Sequence, residues 1–249
     1  MSVDEPIRAS IAGAGDFATT HWSMVLAAGE LEQPATRGAM SRLCETYWLP
    51  LYAYARRRAS SVPEAEDLTQ AFFAELLEKN YVATATPYRG RFRAFLLTAF
   101  KHFLSKQREK AAAQKRGGGK APLSLDFAAA DSSLNIDPAA GLTPEQWYDR
   151  QWAIKLLETA MKRLTDEFVS AGKSKQLDCL REFLTGDHPG VTYADAAAQL
   201  DTTEAAAKKA ASRMRQRYRE LIRDEIAQTV SSPEEIDDEI RNLFDVLEL

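Results

Sequence analysis

Nearly every periodic stretch of this chain repeats its apolar residues at steps of three and four, and no stretch of comparable strength alternates them at steps of two. Steps of three and four gather side chains on one face of a helix, whereas a half-buried strand needs strict alternation. In residues 35–59, Met40, Leu43, Tyr47, Leu51 and Tyr54 form such a stripe, and Pro50 interrupts it where a kink is expected. Residues 63–80 open with Pro63 and a cluster of acids, both favourable in a first helical turn, and then place Leu68, Phe72 and Leu76 on one face. A third helix begins near Arg91, and a short one capped by Thr19 or Thr20 precedes them all. Beyond residue 142, Thr143 is a cap, Pro144 and Glu145 follow it, and Trp147, Ile154, Leu157, Met161 and Leu164 supply a buried stripe. Three further helices follow over 174–186, 191–200 and 202–228. The expected fold class is all-α.

Residues 110–142 are rich in Gly, Ala, Ser and Asp and keep no period, so they read as a flexible linker between two helical domains. The expected order is a disordered N-terminus (1–18), a first domain (19–112), the linker (113–142), a second domain (143–230) and an acidic C-terminal helix (231–249). In that last helix Ile236, Ile240, Leu243 and Phe244 are expected on one face, packed on the second domain or shielding a basic surface. The longest apolar runs, such as Phe95 to Phe100, are too short to span a bilayer, and the first twenty residues lack the pattern of a secretory signal. Cys44 and Cys179 fit buried thiols rather than a disulfide, and His21, His102 and His188 have no metal-ligand spacing. A cytoplasmic protein without metal or cofactor is expected. No paired His and nucleophile appears, and the glycines at 117–119 follow no strand, so the sequence offers nothing for an enzyme.

The net charge is −4, which by itself argues against a generic nucleic-acid binder. Its distribution says otherwise. Residues 89–120 carry ten Lys or Arg against one acid, a local balance of +9, and residues 203–223 carry seven against two, or +5. The last nineteen residues hold seven acids and one Arg, or −6. Separate basic blocks in an acidic chain mark where an anion should sit. In the second block a short helix, a tight turn at Asp201–Thr202 and a longer helix capped by Thr202 or Thr203 have the spacing of a helix-turn-helix. Ala196, Ala197, Ala206 and Ala207 are expected at the crossing. Lys208, Lys209, Ser212 and Arg213 then project from the half of the second helix that enters a major groove. In the first block Tyr88, Phe92, Phe95, Phe100 and Phe103 are interleaved with Arg89, Arg91, Arg93, Lys101, Lys106 and Arg108. One helix has one buried face, and rings at 95, 100 and 103 are not expected to fit it together. Cations beside free rings are what unstacked, single-stranded nucleic acid requires.

The motifs, in this order and separation, resemble an extracytoplasmic-function sigma factor, the bacterial subunit that directs RNA polymerase to promoters. AEDLTQAFFAELL (65–77) is similar to that family's core-binding motif in region 2, and YRGRFRAFLLTAFKHFL (88–104) to its promoter-melting segment. TYADAAAQLDTTEAAAKKAASRMRQRYREL (192–221) is similar to its region 4 helix-turn-helix. The resemblance covers about residues 37–110 and 150–225. It implies that Glu64, Glu66, Asp67 and Gln70 face the polymerase, and that Tyr88, Arg89 and Gly90 form a loop capturing a flipped base, with Arg91 among the DNA-binding residues. Arg93, Lys101, His102, Lys106 and Arg108 would lie along the separated strand or adjacent duplex, and Lys208, Lys209, Ser212 and Arg213 would read the upstream element. The chain departs from the family at Phe95 (usually Trp), at His102 (usually Asn), and at Ala206 and Ala210, which replace a polar and a basic residue. Upstream specificity then rests partly on DNA shape.

The partners so implied are core RNA polymerase and promoter DNA, with an anti-sigma factor or a Ser/Thr kinase as regulator, no membrane, and a free protein that is monomeric. Thr69, on the polymerase-facing helix, is the expected kinase target. The alternatives are a helix-turn-helix regulator acting without polymerase, which predicts dimers and palindromic sites, and a helical adaptor that meets acidic proteins.

Overall fold

The computed structural model describes residues 34–79, 92–113, 125–127, 141–184, 190–227, 229–230 and 232–248. Among these the secondary structure is helical throughout. The helices are α1 (Pro34–Arg56), α2 (Val62–Glu78), α3 (Phe92–Ala113), α4 (Pro144–Ser170), α5 (Ser174–Leu180), α6 (Tyr193–Gln199), α7 (Glu204–Ala227) and α8 (Ile236–Glu248). Single 3₁₀ turns lie at Arg181–Leu184 and Pro233–Glu235. The short helix expected near Thr19 and Thr20 falls outside the described residues.

Local chemistry accounts for the boundaries. Ser61 caps α2 by accepting from the Glu64 amide, with Pro at the start of the helix, and the Thr143 hydroxyl and Gln146 amide group close a reciprocal capping box on α4. At the far end of α4, Gly172 sits at φ 68° while Lys173 N–H donates to the Phe168 carbonyl and Gly172 N–H to that of Val169. That pairing closes a helix through a left-handed residue that glycine adopts without strain. Helix α1 runs on through Pro50, so the expected interruption is not a boundary.

Helix α4 is the spine. It packs along α1 on one side and along α7 and α8 on the other. Because it is covered on two sides, its buried set is Trp147, Tyr148, Gln151, Trp152, Ala153, Leu156, Ala160 and Leu164, wider than the expected stripe. Ile154, Leu157 and Met161, expected in the core, are only half-buried. Buried side chains of α1, α2 and α3 join those of α4, α7 and α8 in one contiguous apolar cluster. Even within the expected linker, Phe127 is buried with its ring edge-on to Trp48 and Tyr52, at 5.6 and 4.9 Å between centroids. The expectation of a loose tether over its whole length is therefore corrected at residues 125–127. Cys44 and Cys179 are half-buried thiols.

Candidate nucleic-acid interface

The turn between α6 and α7 is set by three local devices. Thr192 and Asp195 form a capping box that starts α6. Asp201 takes φ 52°, a left-handed conformation tolerated by Asp, and Thr202 N–H reaches back 3.0 Å to the Ala197 carbonyl. Thr203 then caps α7 by accepting from the Ala206 amide at 3.2 Å. Ala196, Ala197, Ala207 and Ala211 are buried at the crossing, where their small side chains allow close approach. Ala206, expected there, is exposed, and Ala211 holds the place one turn further on. Lys208, Lys209, Ser212 and Arg213 are all exposed along the first half of α7. Lys208 lies 2.7 Å from Glu204 and 5.7 Å from the Tyr193 ring centroid, so it is oriented over the α6 start.

The second half of α7 is different, because Arg217 and Arg223 are engaged within the protein while Arg219 stays exposed. Arg217 donates two hydrogen bonds to Glu167, at 2.8 and 2.7 Å, and one to Glu220. The hydrogen bond from Arg217 holds the Glu167 carboxyl below its ordinary range, and the hydrogen bond to Glu167 holds the guanidinium above its own. Arg223 lies 2.5 Å from Asp237 of α8.

Helix α3 divides along its axis. Phe92, Leu96, Phe100, Phe103 and Leu104 are buried, and Phe95 is half-buried. Phe100 and Phe103 both pack against Phe72 of α2, at 4.9 and 5.5 Å between centroids. The rings at 100 and 103 therefore share the buried face that the sequence expectation denied them. Lys101, His102, Lys106 and Arg108 stand exposed opposite the core. Lys101 and Arg108 line a cleft of about 310 Å³ with Tyr54, Arg58, Leu104, Ser105 and Glu145. Glu145 lies 2.7 Å from Lys101, whose hydrogen bond lowers the pKa of its carboxyl. Sequence reasoning passed over Arg58, although the run Arg56–Arg58 at the end of α1 was a signal for it.

Arg93, expected along the separated strand, is buried at 6% exposure. Its guanidinium lies 4.5 Å from the Trp152 ring centroid, pairs with Asp149 of α4, and meets Glu239 of α8 twice, at 2.8 and 3.3 Å. Burial works to lower the Arg93 pKa, but the hydrogen bond to Glu239 and the charges of Asp149 and Glu239 prevail and raise it. The Tyr148 hydroxyl donates to the Arg93 carbonyl at 2.9 Å. In this arrangement Arg93 touches protein where the expectation placed nucleic acid.

On α2, Glu64 and Asp67 are exposed, with Glu66 and Gln70 half-buried beside them. The Glu64 carboxylate accepts the Ser60 amide at 2.6 Å. Thr69 lies on the other face. It is fully buried, and its hydroxyl donates to the Ala65 carbonyl at 2.7 Å, so a kinase has no access to it in this fold. The expected modification is withdrawn on that ground. Tyr88, Arg89, Gly90 and Arg91 lie outside the described residues.

On α8 the buried residues are Glu239, Leu243 and Val246, while Phe244 is 50% exposed. The step from 239 to 243 to 246 sets that face, which places Val246 where Phe244 was expected. Among the described residues no helix is long and apolar enough to cross a membrane. No family model, curated protein or solved structure matches this chain.

Proposed function

We propose that this is a helix-turn-helix DNA-binding protein, with α7 as its groove-reading helix. Within that class, the reading is a sigma factor of the extracytoplasmic-function type that directs core RNA polymerase to promoters. One observation carries it: a capped two-helix turn leaves Lys208, Lys209, Ser212 and Arg213 together on the exposed first half of α7. The exposed Lys101, His102, Lys106 and Arg108 of α3, joined by Arg58 at one cleft, add a second cationic surface for a phosphate backbone. The acidic outer face of α2, with Glu64 and Asp67, suits a basic surface on the polymerase.

In this account the two helical modules separate when they engage polymerase and promoter. The contiguous core gives a second reading its support: a regulator that binds duplex DNA as a compact body without polymerase. Transcription from a genomic promoter library by core polymerase with and without the protein tests the choice. The sigma reading expects specific, salt-sensitive initiation that depends on the protein. The same few start sites with and without it would count against that reading.

A further inference from the structure

The acidic helix α8 touches both cationic helices at once. Its Glu239 is fully buried against Arg93 of α3, 146 residues away in sequence, and its Asp237 lies 2.5 Å from Arg223 of α7. Along the same helix Leu243 and Val246 are buried, with Ile236, Ile240 and Leu247 half-buried, and α8 packs on α4 and α7.

Apolar contact alone would suffice to hold such a helix. A buried ion pair adds little net stability over well-packed apolar residues, since both charges must leave water. What it adds is a condition on leaving. If α8 lifts away, Arg93 keeps Asp149 as its anionic neighbour but loses the bidentate carboxylate. An external anion that replaces that carboxylate lowers the cost of opening. Opening and anion binding are then thermodynamically linked, each favouring the other.

We infer that α8 is a displaceable internal ligand: Glu239 holds Arg93 in the place of a nucleic-acid phosphate, and α8 stays docked until a phosphodiester strand competes for that guanidinium. The two ion pairs divide the work. Arg223–Asp237 is exposed and screened by salt, whereas Arg93–Glu239 is buried and screened much less. The inner pair therefore persists at ionic strengths that remove the outer one. The identity of the anion rests on the DNA reading above, but the latch itself does not.

The test uses the full chain, a single-stranded dT20 oligonucleotide, hydrogen exchange of α8, and labelling of Arg93 by an arginine-specific dicarbonyl read by mass spectrometry. In the unsubstituted protein, saturating dT20 should speed exchange of α8 about 10-fold, a coupling of ordinary size. Glu239→Gln, which keeps the shape and removes the charge, should label Arg93 about 10-fold faster without DNA and bind dT20 about 10-fold more tightly. Leu243→Ala loosens α8 from its apolar side and should move all three readouts the same way, and it carries the comparison if Glu239→Gln does not fold. Binding of dT20 with α8 exchange unchanged overturns the latch. Faster labelling of Arg93 in the variants, with no dT20 binding by any form, upholds the latch and overturns its ligand together with the DNA reading.

Discussion

Helices α3 and α7 carry the chain's two basic blocks, yet they use their charge in opposite ways along their length. In α7 the first half is built on alanines, so the helix approaches α6 closely and sends its long cations outward, while the second half commits Arg217 and Arg223 to internal carboxylates. In α3 the first turns carry large rings that form the core together with Phe72, and the nearest cation, Arg93, goes in with them. Its exposed cations come later, from Lys101 onward. Aromatic residues set among cations are therefore not evidence of a stacking surface. What decides is which of them the neighbouring helices cover.

The comparison breaks most readily at Phe100. As a fully buried ring against Phe72 and Tyr54, its replacement by Ala should lower unfolding free energy by about 3–5 kcal/mol, read from urea denaturation. A Phe100→Ala protein of undiminished stability that had lost single-strand binding would restore the ring to a stacking role. At the α6–α7 crossing, Ala207→Leu overfills a fully buried position and should cost about 1–3 kcal/mol, with duplex binding weakened as the turn is displaced.

The exposed face of α7 should respond the other way. Lys209→Ala and Arg213→Ala should change stability by less than about 0.5 kcal/mol. Each should reduce the slope of log affinity for duplex DNA against log salt by about 1. Substituting Arg219, exposed on the second half of α7, supplies the control and should change that slope less.

A pH-dependent effect concerns Glu167 and Arg217. A carboxyl whose folded pKa is held below its ordinary value stabilises the fold above that ordinary range, near 4.5, and loses this contribution as pH falls through the lowered value. Both side chains are partly exposed, so solvent screening limits the pair to about 0.5–1 kcal/mol. Glu167→Gln should therefore be less stable than the parent protein at pH 7, and the gap should close as the pH drops below about 4.5.

Much of the fold was legible because its signals are local. The caps at Thr143 and Thr203, the Asp201 turn, the Phe72 and Leu76 face, and the exposure of Lys208, Lys209, Ser212 and Arg213 all follow from neighbours within a few residues. What escaped was long-range. Nothing near Arg93 announces Glu239. Thr69 is a different case: it lies three and seven residues before Phe72 and Leu76, so its place on the buried face of α2 was legible in the spacing and was passed over. Which sides of α4 are covered by α1, α7 and α8 is likewise invisible in its own sequence, which is why Ile154 and Met161 were expected deeper than they lie.

Whether the exposed half of α7 reads promoter DNA in partnership with a polymerase is decided by affinity for one promoter duplex, measured with and without core polymerase. The account predicts weak binding by a free monomer, a gain of at least about 100-fold when core enzyme is present, and loss of that gain in Arg213→Ala; factors of this size correspond to about 2.7 kcal/mol. Tight binding to a palindromic site by a dimer, unchanged by core polymerase, would contradict it.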